Sequence, residues 1–231
     1  MKVKSFALAG VGTMLITGVA SAAFTGVTAE RYVGDGWMEN GYGDTGLATY
    51  RVYADFDGEN PEEDGILSVF GVAGQPMSMT SWNGLFHNDP LGGLTAPLDL
   101  RGSGIWANQL DTYVTINATD DTVVVGLSPG FAAETNSLAS DWSTENAGWF
   151  VTPDDAWGKA SWEGNETPGR VLLAQVSMLD QGDGPINGFG TISILDRASS
   201  EEFRDLALVF PSPGALALLG LAGLAGSRRR R

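Results

Sequence analysis

Between residues 23 and 210 no stretch sustains a 3.6-residue hydrophobic period with helix caps; short β-patterned runs recur instead between clusters of Gly, Asp, Asn and Pro. In 47–56 the residues Tyr50, Val52, Ala54 and Phe56 alternate with Arg51, Tyr53 and Asp55, the pattern of a strand with one wet face. Further strands are predicted at 66–72, 110–117, 123–127, 148–151, 171–178, 189–195 and 206–210, with room for one helical turn in 199–206 and a surface excursion over 86–104. Eight or so short strands with regular turn signals predict an all-β fold, an antiparallel β-sandwich of jelly-roll type over 23–210, with a closed barrel as the alternative. A body of roughly 190 residues is a usual size for one such domain.

Residues 1–22 are built as an export leader. Lys2 and Lys4 precede an apolar run, and the small residues Ala20, Ser21 and Ala22 predict signal-peptidase cleavage between Ala22 and Ala23. The other end, 211–231, reads Pro211, Ser212, Pro213, Gly214, then a Leu/Ala/Gly run, then Arg228, Arg229, Arg230 and Arg231. As a helix, 214–227 would be about 20 Å long against a hydrocarbon thickness of about 30 Å, so it is a marginal membrane anchor. The arginines hold that end on the cytoplasmic side, which agrees with the lysines of the leader and leaves the body outside.

Those ends take six of the 13 basic residues and none of the 28 acids, so the body carries seven basic residues against 28 acids. Such a surface repels phosphate backbones, and nucleic acid is excluded as a partner. With no cysteine and a single histidine, His87, thiolate chemistry and Cys/His zinc sites are excluded, and any Ser-His-Asp arrangement must use that one ring. His87 stands beside Asn88 and Asp89 with no positioned nucleophile and reads as a loop residue.

The tail resembles the PEP-CTERM sorting signal of exported bacterial proteins, on Pro211 and Pro213, the apolar run 215–225 and the arginine cluster, with Ser212 where that family usually has Glu. The resemblance implies removal of the tail by an exosortase-like membrane protease and delivery to the cell surface or extracellular matrix. The body is similar to exported planctomycete-type surface proteins through short patches at 49–54, 67–71, 111–116, 148–153 and 171–175, a group from which no activity transfers.

Two clusters are candidate ligand sites. Six acids fall in ten residues from Asp55 to Asp64, and Asp55, Asp57 and Glu59, spaced i, i+2 and i+4, suit Ca2+, although Asn60 and Pro61 break the EF-hand pattern; a solvated loop guarding a sheet edge is the competing reading. Asp180 and Asp183 form a weaker version. Four of seven tryptophans lie close together, and Trp142, Trp157 and Trp162 are candidates for stacking on extracellular polysaccharide, whereas Trp149, Trp82, Trp106 and Trp37 are expected in the core. Asn117 and Asn165 begin glycosylation sequons that are read as chance matches. No catalytic motif is found; a structural or adhesive role is expected first, a lectin-like module second and a two-carboxylate glycan hydrolase third.

Overall fold

A computed structural model of the chain describes residues 24–32, 46–88, 93–96, 110–119, 125–164, 167–182, 184 and 186–212. The leader with Ala22 and Ala23, the tail from Pro213 onward, and Trp37, Asp89, Trp106, Asn165 and Asp183 lie outside them. Among the described residues no helix is long and apolar enough to cross a membrane.

The structure is all-β and its strand pairs are antiparallel. One sheet has the order β1 (Phe24–Tyr32), β2 (Leu47–Phe56), β9 (Arg170–Leu179), β5 (Tyr113–Val114). The other is assembled from β3 (Ile66–Phe70), β4 (Met77–Ser81), β6 (Gly126–Leu127), β7 (Trp142–Thr144), β8 (Gly148–Phe150), β10 (Ile186–Asp196) and β11 (Glu202–Pro211). The chain changes sheet between β2 and β3, β4 and β5, β5 and β6, β8 and β9, and β9 and β10.

The second sheet contains two interrupted strands lying side by side. Along one edge of β10, Ser193 faces Phe70 of β3 and Thr191 faces Ser78 of β4, so β3 and β4 continue one line broken by residues 71–76. Their neighbour repeats the break: Met79 faces Trp142 and Met77 faces Thr144 in β7, then Phe70 faces Gly148 and Ser68 faces Phe150 in β8. The two excursions leave the sheet at the same point, where the Gly71 N–H bonds the Ala147 carbonyl at 3.1 Å. A Cβ on Gly71 would stand 2.1 Å from the Thr144 carbonyl oxygen, so only glycine allows this approach.

Between the sheets lies an apolar core. Tyr50, Val52 and Ala54 of β2 face inward with their partners Val176, Ala174 and Val171 of β9, against Met77, Met79, Trp149, Ile192, Leu208 and Phe210 of the other sheet. The Tyr50 and Phe210 rings are 5.3 Å apart and those of Phe131 and Trp149 6.0 Å. Each such fully buried side chain contributes about 1.5–3 kcal/mol by leaving water. A four-residue helix, α1 (Phe131–Glu134), drives Phe131 into this core.

Strand 47–56 forms where expected, but its second face is not wet. All residues from Ala48 to Ala54 are buried, because Arg51 lies 3.7 Å over the Tyr32 ring and bonds Gln175, while Thr49 bonds Ser177 at 2.7 Å and Gln175 reaches the Asp111 carbonyl. The 110–117 run yields only two strand residues, since Thr112, Thr115 and Asn117 spend side-chain hydrogen bonds on local and cross-strand backbone and Asn117 turns to φ 65°. The helical turn expected in 199–206 is instead a tight connection, capped by the Asp196 carboxylate on Ser199, running directly into β11 at Glu202. The sequence pattern does not predict strands β1, β4 and β7.

Candidate functional site

The acidic loop after β2 is held by its own backbone. The Asp57 carboxylate accepts the Glu59 N–H at 2.9 Å, and the Asn60 carbonyl accepts the N–H groups of Glu63 and Asp64 at 2.9 Å each. Asp57 and Glu59 are exposed, but Asp55 points elsewhere: Arg170 Nε meets its carboxylate at 2.5 Å while Arg170 Nη1 lies 3.0 Å from Glu30 and the guanidinium stacks 4.2 Å from the Tyr53 ring. The triad Asp55, Asp57 and Glu59 is therefore divided between an ion-pair network and a loop tip. Among the described residues no three acidic, histidine or cysteine side chains stand in a metal-holding group.

At the far end of the same loop Asp64 is wholly buried, and neither carboxylate oxygen meets a donor in good hydrogen-bond geometry. Burial raises its pKa above the ordinary 3.8, with further upward pushes from Asp57, Asp196 and Glu63 that the facing Asn60 amide offsets only in part. Asp196 is equally buried; Ser199 occupies one of its oxygens and the other has no partner. Sequence reading counted Asp64 among the loop acids but gave no reason to connect it with Asp196, which lies 132 positions away and is brought there by the pairing of β3 with β10.

The tryptophans sort differently from expectation. Trp142 is 6 % exposed, paired opposite Met79 in the core, and offers no face to a sugar. Trp157 and Trp162 are partly buried and pack against the core edge. Trp149 is core as predicted, its indole N–H donating to the Thr115 carbonyl at 2.9 Å. Trp82, expected inside, is 47 % exposed, because it continues the outward row of β4 beyond Ser78 and Thr80. Its indole N–H donates to the Leu179 carbonyl at 2.7 Å, which fixes the ring's orientation. On the same outer face Thr80, Phe189 and Val209 oppose one another across β4, β10 and β11, and Phe189 and Val209 are more than half exposed.

Other candidates are absorbed by the fold. Asp180 pairs with Arg31 at 2.8 Å; burial alone would raise its pKa, but the Gly182 N–H, Arg31 and Asn187 outweigh that and hold it below 3.8. His87 is stitched by its backbone to Ser177 and Thr112. Asn117 is buried, donating to the Trp157 and Lys159 carbonyls and accepting from Leu172, so its amide is unavailable for a glycan. Among the described residues the one carboxyl with a raised pKa, Asp64, is sealed from any glycosidic oxygen. Pro211 and Ser212 are part of the fold: Pro211 ends β11, its carbonyl accepts the Tyr50 hydroxyl, and the buried Ser212 hydroxyl donates to the Gly184 carbonyl. Comparison with known protein families, curated proteins and solved structures finds no match to this chain.

Proposed function

We propose that the protein is an exported cell-surface or extracellular-matrix component, jelly-roll-like in the repeated passage of its chain between two sheets, with a structural or adhesive role. The observation that carries this reading is the pairing of the two ends: a basic, apolar, small-residue leader and a Pro-Ser-Pro, apolar, arginine-ended tail flank a body holding all 28 acids. In this reading a signal peptidase frees the body at Ala22, the tail anchors it, and an exosortase-like protease resolves the anchor. The exposed row of Phe189 and Val209 supplies an apolar outer face suited to adhesion. The test is localisation of the chain in its native host with and without 213–231. Surface or matrix retention that is lost on deletion supports the reading; unchanged retention, or an uncut chain in the cytosol, overturns it.

A lectin-like role is the second reading, favoured by Trp82, an exposed indole whose orientation is fixed by its bond to Leu179. Titration with a polysaccharide panel should shift indole fluorescence in the wild type and not in Trp82→Ala; no shift across the panel removes this reading.

A further inference from the structure

The acidic loop ends in an arrangement that an apolar core does not tolerate by itself. Ile66 and Asp196 oppose one another between β3 and β10, and the Gly65 carbonyl takes the Arg197 N–H at 3.0 Å. Asp64 lies two residues before Ile66, near enough for the charge of Asp196 to act on it. The Asp64 backbone is locked in place, its N–H on the Asn60 carbonyl and its carbonyl on the Ala160 N–H, both at 2.9 Å.

Three carboxylate oxygens, both of Asp64 and one of Asp196, are buried there without a donor in good geometry, and the Asn60 amide facing Asp64 offsets its burial only in part. The charges acting most strongly on Asp64, those of Asp57 and Asp196, are both negative. Buried polar groups are almost always satisfied, and a buried charge is held by an opposite one. Acceptors in excess, two of the three on a residue with no exposed surface, call for a positive partner that coordinates oxygen.

We infer that Asp64 and Asp196 hold a Ca2+ ion beneath the acidic loop, replacing the Asp55, Asp57 and Glu59 set suggested by spacing alone. A cation taking oxygens at about 2.3–2.6 Å lets two buried carboxylates face one another without mutual repulsion. Water completes the six to eight ligands such an ion takes, and Asp57 adds negative potential from the loop. Two carboxylates make a site of low charge count, in the class of extracellular modules with dissociation constants of about 10⁻⁴–10⁻³ M. Such a site fills only where calcium is millimolar, so the body gains stability after export.

The test is the thermal midpoint of the full chain in detergent, with 10 mM CaCl2, with 10 mM MgCl2 and with chelator. At a dissociation constant of about 10⁻³ M, calcium multiplies the folding constant about tenfold and raises the midpoint, and magnesium, which demands a tighter octahedral shell, raises it less. Asp64→Asn and Asp196→Asn each lose the calcium shift, and Asp64→Asn in chelator is at least as stable as the wild type in chelator. Glu59→Gln, at the exposed loop tip, keeps the shift. If Asp64→Asn does not fold, Asp196→Asn and Glu59→Gln still decide. A wild-type midpoint indifferent to calcium overturns the inference, as does a shift that survives in Asp196→Asn or disappears in Glu59→Gln.

Discussion

Asn187 of β10 donates its side-chain amide to the Tyr50 hydroxyl of β2 at 2.7 Å, a buried hydrogen bond between the two sheets. The Tyr50 hydroxyl donates in turn to the Pro211 carbonyl, and the Asn187 side-chain amide oxygen accepts the Gln181 N–H at 2.8 Å. One chain of polar contacts therefore ties the last residues of β11 to both sheets.

Tyr50→Phe keeps the ring against Phe210 and removes only this link, leaving the Pro211 carbonyl and one Asn187 donor unsatisfied. Burial already raises the Tyr50 pKa, so the hydroxyl is neutral and the loss is that of neutral bonds. Urea unfolding should show a loss of about 1–3 kcal/mol. Asn187→Ala combined with Tyr50→Phe should cost less than the sum of the two, since both remove the same bond. The end of β11 should also loosen, which limited proteolysis near Ser212 would report as faster cutting.

Gly71→Ala tests the shared break in the second sheet. The new methyl would meet backbone on two sides, the Thr144 oxygen at 2.1 Å and the Met77 nitrogen at 2.7 Å, and neither can step aside without moving a strand. A loss of about 1–3 kcal/mol in urea is expected from such crowding. Gly74→Ala, at the tip of the same excursion, meets nothing within 4 Å and pays only for its φ of +80°, so it should cost about 1–2 kcal/mol.

Arg170→Lys should be far from conservative. Arg170 bonds Thr28, pairs with Glu30 and Asp55, and covers the Tyr53 ring. Burial alone would lower its pKa, but Glu30 and Asp55 raise it, so the guanidinium stays charged. Lysine keeps the charge while losing the fork and the stack. Because the site is partly solvated, a loss of about 1–2 kcal/mol is expected, shrinking as salt screens the pairs. No dependence on salt would show that packing on Tyr53, and not charge, carries the effect.

Trp142→Ala and Trp82→Ala should separate core from surface. The buried Trp142 fills space beside Met79, Phe86, Tyr113 and Leu138, and its removal should cost about 3–5 kcal/mol. Trp82→Ala should change thermal stability little, while removing the more water-exposed part of the indole emission.

These contrasts show what was readable in the chain. Period-2 alternation found β2 at its true bounds, because inward Tyr50, Val52 and Ala54 are apolar whatever covers the other face. It missed β4 and β7, where Met77 to Ser81 and Trp142 to Thr144 are too short and too polar on their outer face to stand out. Clustering misjudges Trp142, and the expectation that a large indole is buried misjudges Trp82, for a related reason: exposure is decided by the parity of a residue within its strand, and parity is known only once the register is. Asp64 was legible as an acid, but its partner Asp196 depends on long-range pairing, which local spacing does not encode.

The carboxylates of Asp64 and Asp180 should bend the pH dependence of stability in opposite directions when measured in chelator. Asp64 has a folded pKa raised above 3.8, so in the window above that value the folded chain holds a proton that the unfolded chain has lost. Stability from this residue is complete below the window and falls as pH rises through the raised pKa. Asp180 has a folded pKa held below 3.8, so its contribution is present above that value and is lost as pH falls through the lowered one. Urea unfolding between pH 2.5 and 7 should therefore give two difference curves against variants that cannot titrate. Wild type minus Asp64→Asn should be flat at the acid end and decline with rising pH; wild type minus Asp180→Asn should climb from the acid end and then level. Ten millimolar calcium should flatten the first curve at neutral pH, because the ion takes the place of the proton on Asp64, and leave the second unchanged, because Asp180 is already neutralised by Arg31. A first curve that rises with pH in chelator would mean that the Asp64 carboxylate has found a positive partner within the chain.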